Sequence, residues 1–284
     1  MLVASGLPEA PLDLWAVEVK GDGLRAQLRV QRDGAWSMRT RPGSDRSARF
    51  PELAGVAQQL AGHDVVIDGE LVCLARDGKP DFAAVRRRLV GSRQQPCPVT
   101  LIAFDLLHLV GWNLRGMPYE QRREQLHDVL AAGQGVRVPE HWIGEVDAIA
   151  AMTREHELEG VVCKRLGSPY RGTRSSAWRK HKHRRREQLA VTGWRPGEGE
   201  PDTVYLARVD ASGRRRAVGA AQFGLGADAR ARLRDALAAR QRQAQRRSGI
   251  RAVDAGITVV VDAHGRRDGW LRDPVLRDVV VERD

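Results

Sequence analysis

The stretch Glu18-Val-Lys20-Gly-Asp22-Gly-Leu-Arg25 places a lysine, two glycines and two acids directly after the apolar run Trp15-Ala-Val. Lysine is rare in this chain, because Lys and Arg together number 47 and only five of them are lysines. The five are Lys20, Lys79, Lys164, Lys180 and Lys182. A guanidinium keeps its charge, whereas a lysine amine can lose its proton and become a nucleophile. Lysine at position 20 therefore predicts covalent chemistry on a phosphate.

The sequence predicts β-strands on both sides of this stretch. The predicted strands are Trp15–Val19, Leu24–Val30, Val65–Ile67, Leu71–Leu74, Val99–Leu107 and Gly160–Lys164. They are rich in apolar residues and bounded by turn residues, as at the hairpin signal Asp33-Gly34. Because two of these runs flank Asp68-Gly-Glu70, the acidic triplet is predicted at strand ends.

Short helices are predicted between the strands. The first begins at Pro51, the second follows Pro118, and the third covers residues 145–158, with Val146 and Ile149 on its inner face. Strands mixed with short helices, rather than in regular alternation with them, favour an α+β domain.

The character of the sequence changes after Arg186. Short alternating strands are predicted at Gln188–Trp194, Thr203–Val209, Arg214–Phe223 and Ile257–Val261. Between them lies one arginine-rich helix with Leu233 and Leu237 on the same face. Few short strands with one helix are typical of a small β-barrel of the oligonucleotide-binding (OB) fold. We therefore predict one domain at residues 1–186 and a second at 187–284.

The charge of the chain indicates a polyanionic partner. The net charge is +11 and the isoelectric point is near 10.5, and cations bind nucleic acids by releasing counterions from phosphates. The charge is concentrated in Arg171–Arg186 and Ala227–Arg247. This clustering favours a nucleic-acid-binding surface over the alternative that the charge serves only solubility.

Other classes of protein are disfavoured. No apolar run approaches the ~20 residues of a membrane span, and the first residues lack the basic and apolar segments of a secretion signal. Cys73, Cys97 and Cys163 are odd in number and far apart, so they form neither a disulfide framework nor a four-cysteine zinc site. We expect a cytoplasmic, nucleoid-associated protein that binds no membrane.

The hexapeptide Lys20-Gly-Asp22-Gly-Leu-Arg25 resembles the K-x-D-G-x-R signature of covalent nucleotidyltransferases, the superfamily of ATP-dependent DNA ligases, RNA ligases and capping enzymes. Further stretches follow in the order of that family. They are Arg39-Thr-Arg41-Pro-Gly43, Asp68-Gly-Glu70, Phe104-Asp105, Glu159-Gly-Val-Val-Cys-Lys164 and Trp178-Arg-Lys180-His-Lys182. The likeness is greatest to bacterial ATP-dependent DNA ligases of the end-joining type. The stretches similar to that subgroup are Ser168-Pro-Tyr170-Arg171 and Gly193-Trp-Arg-Pro-Gly-Glu-Gly199. The resemblance implies an adenylation (nucleotidyltransferase, ATP-grasp-like) domain followed by an OB-fold domain.

The resemblance also implies a role for each matching residue. Lys20 is expected to be the catalytic nucleophile that takes AMP from ATP. The residues expected to bind ATP are Glu18, Lys20, Arg25, Arg41, Glu70, Phe104, Lys164, Lys180 and Lys182. Phe104 is expected to stack on the adenine. The α-phosphate clamp is expected to consist of Lys164, Lys180 and Lys182, of which the last two share one face of a strand.

Metal ions are implied as well. The resemblance indicates that Glu159 binds Mg²⁺ or Mn²⁺, and that Glu70 serves the ribose, the metal or both. Arg41 is expected to orient the nucleotide or the 5′-phosphate of the DNA. Neighbouring cations or a metal would disfavour a further positive charge at Lys20 and so favour the neutral amine that attacks the α-phosphate.

The residues alone leave alternatives open. Lys20 could form a surface ion pair with Glu18 or Asp22, Phe104 could pack in the core, and residues 178–186 could be a solvated basic run. At the level of function, the alternatives are an RNA ligase, a capping-type nucleotidyltransferase and a catalytically silent protein that binds DNA ends.

The expected partner is nicked or broken duplex DNA. Because no additional DNA-binding domain is recognised in the sequence, the resemblance implies help from Ku and a separate repair polymerase, and we expect a monomer. Two features depart from the family pattern. Gly21 stands where a bulky residue is common, and Val279–Asp284 is a poor version of the last motif, so the efficiency of self-adenylation is open.

Overall fold

The computed structural model divides the protein into two compact units, Met1–Lys182 and His183–Asp284. The residues it describes are 2–41, 43–75, 78, 80–91, 97–130, 135–197, 201–222, 224–242, 249–267 and 269–281. Some sequence-based predictions fall elsewhere: Lys79, Phe223, the end of Gly193–Gly199, the end of Ala227–Arg247 and the last three residues lie outside the described residues.

The first unit contains most of the helices. Its strands are β1 (Leu2–Ser5), β2 (Trp15–Val19), β3 (Leu24–Val30), β4 (Trp36–Thr40), β5 (Val65–Cys73), β6 (Val99–Leu109), β7 (Trp112–Asn113), β8 (Val136–Arg137), β9 (His141–Ile143), β10 (Gly160–Arg165) and β11 (Arg174–Lys182). Its α-helices are α1 (Leu53–Gln59), α2 (Phe82–Val90), α3 (Tyr119–Val129) and α4 (Val146–Glu155). None of the helices in the described parts of the chain is long and apolar enough to cross a membrane.

These strands form two sheets. The smaller sheet has the order β1-β11-β10-β2-β9, and the larger has the order β4-β3-β5-β6-β7 with β8 paired to β6. Neighbouring strands are antiparallel except for the parallel pairs β1–β11 and β6–β8. Mixed sheets with short helices are the α+β arrangement that the sequence predicts.

Alternation along β3 separates the core of the larger sheet from its outer face. Ala26, Leu28 and Val30 are buried in an apolar core that includes residues of α1 and α2. Arg25 and Arg29 lie on the opposite face, because successive side chains of a strand point to opposite sides. Burying a large aliphatic side chain contributes about 1.5–3 kcal/mol, so this pattern fixes which face carries the arginines.

The smaller sheet is organised by the same rule. On β10, Val161 and Cys163 pack in one apolar cluster with Val146 and Ile149 of α4, as the helical spacing of α4 predicts. Lys164 therefore lies on the other face of the sheet.

The structure corrects the prediction around Asp68-Gly-Glu70. The two predicted strands are one continuous strand, β5, which runs through the triplet. Gly69 marks a close approach rather than a turn, because a Cβ at this position would lie 2.6 Å from Leu101 Cδ1 and 2.8 Å from the Ile102 carbonyl oxygen. Helix α2 was not predicted; Asp81 caps it by accepting a hydrogen bond from Ala84 N at 2.8 Å.

The second unit is the OB-fold. Its strands are β12 (Arg185–Pro196), β13 (Pro201–Val209), β14 (Arg215–Ala221), β15 (Arg251–Ala252), β16 (Ile257–Ala263), β17 (Arg266–Arg267), β18 (Trp270–Leu271) and β19 (Val275–Val281). The main sheet has the order β14-β13-β12-β16-β19, with β15 paired to β12. Helix α5 (Ala227–Ala239) buries Leu233 and Leu237 against this sheet's core, as predicted, whereas β19 was not predicted.

Candidate functional site

One face of the smaller sheet gathers residues from several of the motifs. Across β2, β10 and β11, Glu18 pairs with Val162 and Val162 with Lys180. Two residues further along, Ala16, Lys164 and Trp178 form the next row on the same face. In the other direction, Gly160 pairs with Lys182. Three successive rows therefore cross this face. The row of Lys164 lies at its deep end, the row of Glu18 in the middle and the row of Lys182 at the other end.

Lys20 lies at the level of Gly160 and is paired with Glu159. Its ammonium donates to Glu159 Oε2 at 2.7 Å and to the Gly21 carbonyl oxygen at 3.0 Å. Lys182 contacts the other oxygen, Oε1, also at 2.7 Å. Burial alone would raise the pKa of Glu159, but the charges and hydrogen bonds of the two lysines hold it below its ordinary value. One carboxylate thus joins the expected nucleophile to a cation of the expected phosphate clamp.

The backbone at Gly160 makes this pairing possible. Lys20 N donates to the Gly160 carbonyl oxygen at 2.9 Å. Gly160 has φ +145°, and a Cβ there would lie 2.0 Å from the His181 carbonyl oxygen. Only glycine fits at this point, and it brings β11 close to the residue that follows Glu159.

The larger sheet contributes a second polar group. Arg25 donates to both oxygens of Asp68, from Nε at 3.2 Å and from Nη2 at 2.7 Å, and Tyr170 donates to Asp68 Oδ2 at 2.6 Å. Burial alone would lower the pKa of Arg25, but the buried Asp68 carboxylate raises it above its usual range. Burial also raises the pKa of Tyr170. Arg25 is thus a fixed cation with a preset orientation.

Glu70 follows Asp68 on the same face of β5. Burial raises the pKa of Glu70 to about 7, although the charges of Lys20 and Arg25 oppose the shift, and the Glu159 charge adds to it. The two carboxylates that the sequence predicts as metal ligands therefore lie near enough for their charges to interact.

The deep end of the face is a buried ion pair surrounded by aromatic rings. Lys164 is only 1% exposed, and its ammonium lies 2.7 Å from Glu18 Oε2. The ammonium also lies 4.6 Å from the centre of the Phe104 ring and 4.5 Å from that of Trp178, and it donates to the Phe104 carbonyl oxygen at 3.2 Å. Burial lowers the pKa of Lys164, and the Glu18 charge opposes the shift.

Helix α3 supplies two further partners of Glu18. Tyr119 Oη donates to Glu18 Oε1 at 2.6 Å, and Arg123 Nη1 donates to the same oxygen at 3.0 Å. Burial and the neighbouring Glu18 charge raise the pKa of Tyr119. The Glu18 carboxylate is therefore held from two sides, by β10 and by α3.

A second buried pair fixes α3 to β6. Arg122 Nε and Nη2 donate to the two oxygens of Asp105 at 2.7 and 2.8 Å, and both side chains are completely buried. Arg122 Nη1 also donates to the carbonyl oxygens of Met117 and Ser168. This pair adjoins Phe104 in sequence and so fixes the strand that carries it.

A basic groove begins at Arg25 and extends over the outer face of the larger sheet. The cavity has a volume of about 700 Å³. Its arginines are Arg25, Arg29, Arg39, Arg41 and Arg115. Asp64 lies 4.0 Å from Arg29 and 2.9 Å from His108. Five arginines against Asp64 and Asp68 leave the lining positively charged.

Comparison with known proteins identifies the family. A family model described as "ATP dependent DNA ligase domain" matches residues 4–182. The chain belongs to the ATP-dependent DNA ligase family. The matched ligase residues coincide with the first compact unit and include every motif quoted above from Glu18 to Lys182.

The chain is similar to bacterial proteins named LigD. It is 41% identical over 187 residues to the multifunctional non-homologous end joining DNA repair protein LigD of Mycobacterium tuberculosis, a match that covers 65% of this chain and 24% of that protein. It is 33% identical over 199 residues to LigD of Pseudomonas aeruginosa, with 69% and 23% covered. The chain thus spans about a quarter of the length of these curated relatives.

Solved structures share the architecture of this chain. The ligase domain of M. tuberculosis LigD matches with a TM-score of 0.60 and 31% identity, covering 100% of this chain and 97% of that chain. A mycobacterial DNA ligase D complexed with ATP matches with a TM-score of 0.61 and 30% identity, covering 100% and 95%. A Lig E DNA ligase matches with a TM-score of 0.68 at 16% identity, covering 98% of each chain, and so shares the fold.

The structure brings together most of the residues predicted for this ligase site, but it separates Lys164 from the other lysines. Lys20 and Lys182 lie at the Gly160 end of the face, and Lys180 lies in its middle row. Burial, together with the charges of Lys182 and Lys20, lowers the pKa of Lys180. Arg41 lines the basic groove. Lys164, by contrast, is 1% exposed and is paired with Glu18.

Sequence reasoning missed the residues that support the site. Asp68, Tyr119, Arg122 and Arg123 have contacts to motif residues but were given no role from the sequence. The sequence did contain a signal for Arg122 and Arg123, which occupy inward positions of α3. A charge is rarely buried without a partner of opposite charge, so these positions indicate buried ion pairs.

Glu70 and Glu159 have the chemistry of ligands for a divalent cation. No cluster of three or more His, Cys, Asp or Glu side chains with metal-ligand geometry occurs among the described residues. Magnesium, however, commonly takes one or two carboxylates and completes its shell with water and substrate phosphates. Glu70 and Glu159 match that donor set. Burial raises the pKa of Glu70, and the Glu159 charge adds to the shift.

Proposed function

We propose that the chain is an ATP-dependent DNA ligase that seals breaks with 5′-phosphate and 3′-hydroxyl ends through a covalent lysyl-AMP intermediate. The observation that carries the proposal is the contact of Lys20 with Glu159 at 2.7 Å, with Lys182 on the other carboxylate oxygen. The two lysine side chains are 19% and 30% exposed, so a ligand can reach this level of the face, whereas Lys164 is 1% exposed. Membership of the ligase family supports the same chemistry.

In the first step, the Lys20 amine attacks the α-phosphorus of ATP. A P–N bond forms, the bond to the bridging oxygen breaks, and pyrophosphate leaves. Lys180 and Lys182 lie on the same face as the nucleophile and would offset the charge that builds up on the α-phosphate. Because the ammonium must first lose a proton, its contact with Glu159 has to be released before attack.

The two acids would hold the metal ion that the family requires. A divalent cation bound by Glu70 and Glu159 would neutralise phosphate charge and withdraw the carboxylate that stabilises the Lys20 ammonium. Glu70 lies on β5 and Glu159 directly precedes β10, so the two acids would come from separate segments of the chain. We propose that Phe104 stacks on the adenine and that Arg25 contacts the nucleotide.

The basic groove is proposed to hold the DNA strand that ends in the 5′-phosphate. In the second step, an oxygen of that phosphate attacks the lysyl-AMP, which transfers AMP and frees the lysine. In the third, the 3′-hydroxyl attacks the activated phosphate and AMP leaves. Arg41 and Arg39 are suited to binding phosphates because a guanidinium contacts two oxygens at once.

The second unit is proposed to grip duplex DNA. Arginines outnumber their acidic partners there: Asp262 is shared by Arg186 and Arg277, and Glu187 by Arg208 and Arg266. With residues 1–186 for adenylation and 187–284 for the OB-fold, the chain would act as a monomer in the cytoplasm at the nucleoid. Ku and a separate repair polymerase are proposed partners in end joining.

The first experiment measures the intact mass of the protein before and after incubation with ATP. We expect an increase by one AMP that pyrophosphate reverses and that Lys20→Ala abolishes. Lys79→Ala is the matched control, because Lys79 belongs to none of the motifs, and it should adenylate like the wild type. A wild-type protein that takes no AMP from ATP would refute the proposal and favour a silent DNA-end-binding protein.

A second experiment separates the ligase from its chemical relatives. The adenylated protein is given nicked duplex DNA or nicked RNA of the same sequence, and ATP is compared with GTP as the donor. We expect sealing of DNA with ATP. Adduct formation with GTP would instead indicate a capping-type enzyme, and sealing of RNA alone would indicate an RNA ligase.

A further inference from the structure

We propose that Cys73 and Cys97 form a redox modification site, at which a peroxide joins the two thiols in a disulfide that links the end of β5 to the segment before β6. Both residues are free thiols. Although 24 positions separate them in the sequence, the fold brings them together. The inference goes beyond the proposed function, because the reaction needs neither a nucleotide nor DNA.

The first argument is the position of the two sulfur atoms. Cys73 ends β5 and pairs with Val99 of β6, two residues after Cys97. Cys73 Sγ lies 3.5 Å from the Cys97 carbonyl oxygen, and Cys97 Sγ lies 3.8 Å from the carbonyl oxygen of Leu74. Each sulfur therefore reaches the backbone at or next to the other cysteine, and the two thiols are hydrogen-bonded to each other. Only a short movement separates this contact from a covalent bond.

The second argument is that the Cys97 segment is held in place. Arg88 of α2 donates from Nη1 to the Cys97 carbonyl oxygen at 2.8 Å and from Nη2 to Glu52 Oε2 at 2.9 Å. The Glu52 carboxylate also accepts a hydrogen bond from Val99 N at 3.3 Å. Cys97 itself packs against the core cluster that contains Cys73. Because these contacts fix one thiol beside the other, closing the bond requires little further ordering of the chain.

The third argument is the difference in exposure between the two thiols. Cys73 is completely buried, whereas Cys97 is partly exposed. Burial raises the pKa of Cys73 to about 12, and the contact with Cys97 adds to the shift. The thiolate is the form of cysteine that attacks an oxidant. A peroxide in solution therefore reacts first with Cys97, and Cys73 is the partner that closes the bond.

The reaction balances with hydrogen peroxide as the oxidant. The Cys97 sulfur attacks one peroxide oxygen, the O–O bond breaks, and a sulfenic acid and one water form. The Cys73 sulfur then attacks the Cys97 sulfur, the S–S bond forms, and the hydroxyl leaves with the Cys73 proton as a second water. Two thiols lose two electrons in total, and one peroxide is reduced to two waters. A dithiol reductant reverses the bond by thiol–disulfide exchange.

The test maps the thiols of the full chain after oxidation. The reduced protein is treated with hydrogen peroxide, denatured and labelled with N-ethylmaleimide, and its peptides are identified by mass spectrometry without reduction. We expect a cross-linked peptide that contains Cys73 and Cys97, with label only at Cys163. Cys163 is the internal control, because it is completely buried in the apolar cluster of the smaller sheet. Cys163→Ala should form the same disulfide.

The second readout is the melting temperature of the first unit. A disulfide removes conformational freedom from the unfolded chain, so the oxidised protein should melt about 5 °C or more above the reduced protein, and dithiothreitol should reverse the shift. Cys97→Ser, which changes the less buried member of the pair, should show no shift on oxidation and should keep Cys73 open to label.

Three results would overturn the inference. Both thiols could remain open to label after peroxide, or Cys97 could be converted to its sulfinic or sulfonic acid without forming the cross-link. Cys97 could instead join two copies of the chain, which a non-reducing gel would show as a dimer. A Cys73–Cys97 disulfide that leaves the melting temperature unchanged would refute the link between β5 and β6. Because labelling needs no ATP, a wild type that forms no AMP adduct refutes the proposed function separately.

Discussion

Replacing Arg122 by Met tests whether the buried pair with Asp105 supports the first unit. Arg122 makes four hydrogen bonds: two to Asp105 and one each to the Met117 and Ser168 carbonyl oxygens. Methionine fills a similar volume but satisfies none of them. The Asp105 carboxylate, which is completely buried, would be left without its cation.

The expected loss follows from this burial. Removing one partner of a buried pair costs about 3–5 kcal/mol, since the remaining charge stays out of water. For a unit of this size, each kcal/mol lowers the melting temperature by about 2–4 °C, so the first unit should melt about 6–20 °C earlier. Burial already raises the pKa of Asp105 against the opposing effect of Arg122. Without Arg122 the folded state should bind a proton more tightly than the unfolded chain, and the variant's deficit should shrink as the pH falls.

The assay is urea denaturation of the full chain with pulse proteolysis, in which the mass of the surviving fragment reports which unit is folded. Arg87→Met is the control, because Arg87 is 56% exposed and lies 4.0 Å from Asp81, so its loss should cost less than about 1 kcal/mol. If Arg122→Met costs no more than this control, or if its deficit is independent of pH, the reasoning about the buried pair is wrong.

Three further predictions follow from single contacts. Burial lowers the pKa of His141. The folded protein should therefore lose stability as the pH falls below about 6.5, because the unfolded chain binds the proton first. In urea titrations at pH 7 and pH 5, His141→Gln should lose less stability than the wild type, and equal losses would contradict the assignment. Arg41→Ala should adenylate normally but bind nicked DNA with a salt slope smaller by about 0.9, as expected for one lost phosphate contact; an unchanged slope in filter binding would remove Arg41 from the groove's contacts. Gly160→Ala should destabilise the first unit by more than about 2 kcal/mol, because its Cβ would lie 2.0 Å from the His181 carbonyl oxygen; Gly167→Ala, where nothing lies within 4 Å, should melt nearly like the wild type.

Local patterns predicted much of the fold because they act over a few residues. Strands β2 and β3 have the predicted bounds, and β10 extends the prediction by one residue. Predictions from the same patterns were wrong where one local signal is compatible with two structures. Gly69 was interpreted as part of a break, but it allows β5 to pass close to Leu101 and Ile102. In β19, Arg277 and Asp278 interrupt the apolar alternation, and the strand was not predicted.

The supporting contacts of the site could not be predicted from local patterns. Glu18 and Lys164 are 146 residues apart, and their pairing depends on the register of β2 against β10. In the sequence Lys164 looks like Lys180 and Lys182. Only the register, which sets Lys164 opposite Trp178, shows that it is buried while the other two are not. Motif spacing thus indicates which residues matter, and the register determines what each can touch.

Both faces of strand β3 are constrained, because one packs in the core and the other lines the basic groove. This limits which insertions and deletions the encoding gene segment can accept. Its even-numbered positions, such as Leu28, pack in the core, and its odd-numbered positions, such as Arg25 and Arg29, line the basic groove. Adding or deleting one codon between Arg25 and Val30 would exchange the core-facing and groove-facing residues. Guanidinium groups would then enter the core and aliphatic side chains would line the basic groove. Substitutions can be tolerated there one at a time, whereas length variation should be confined to the hairpin after Val30.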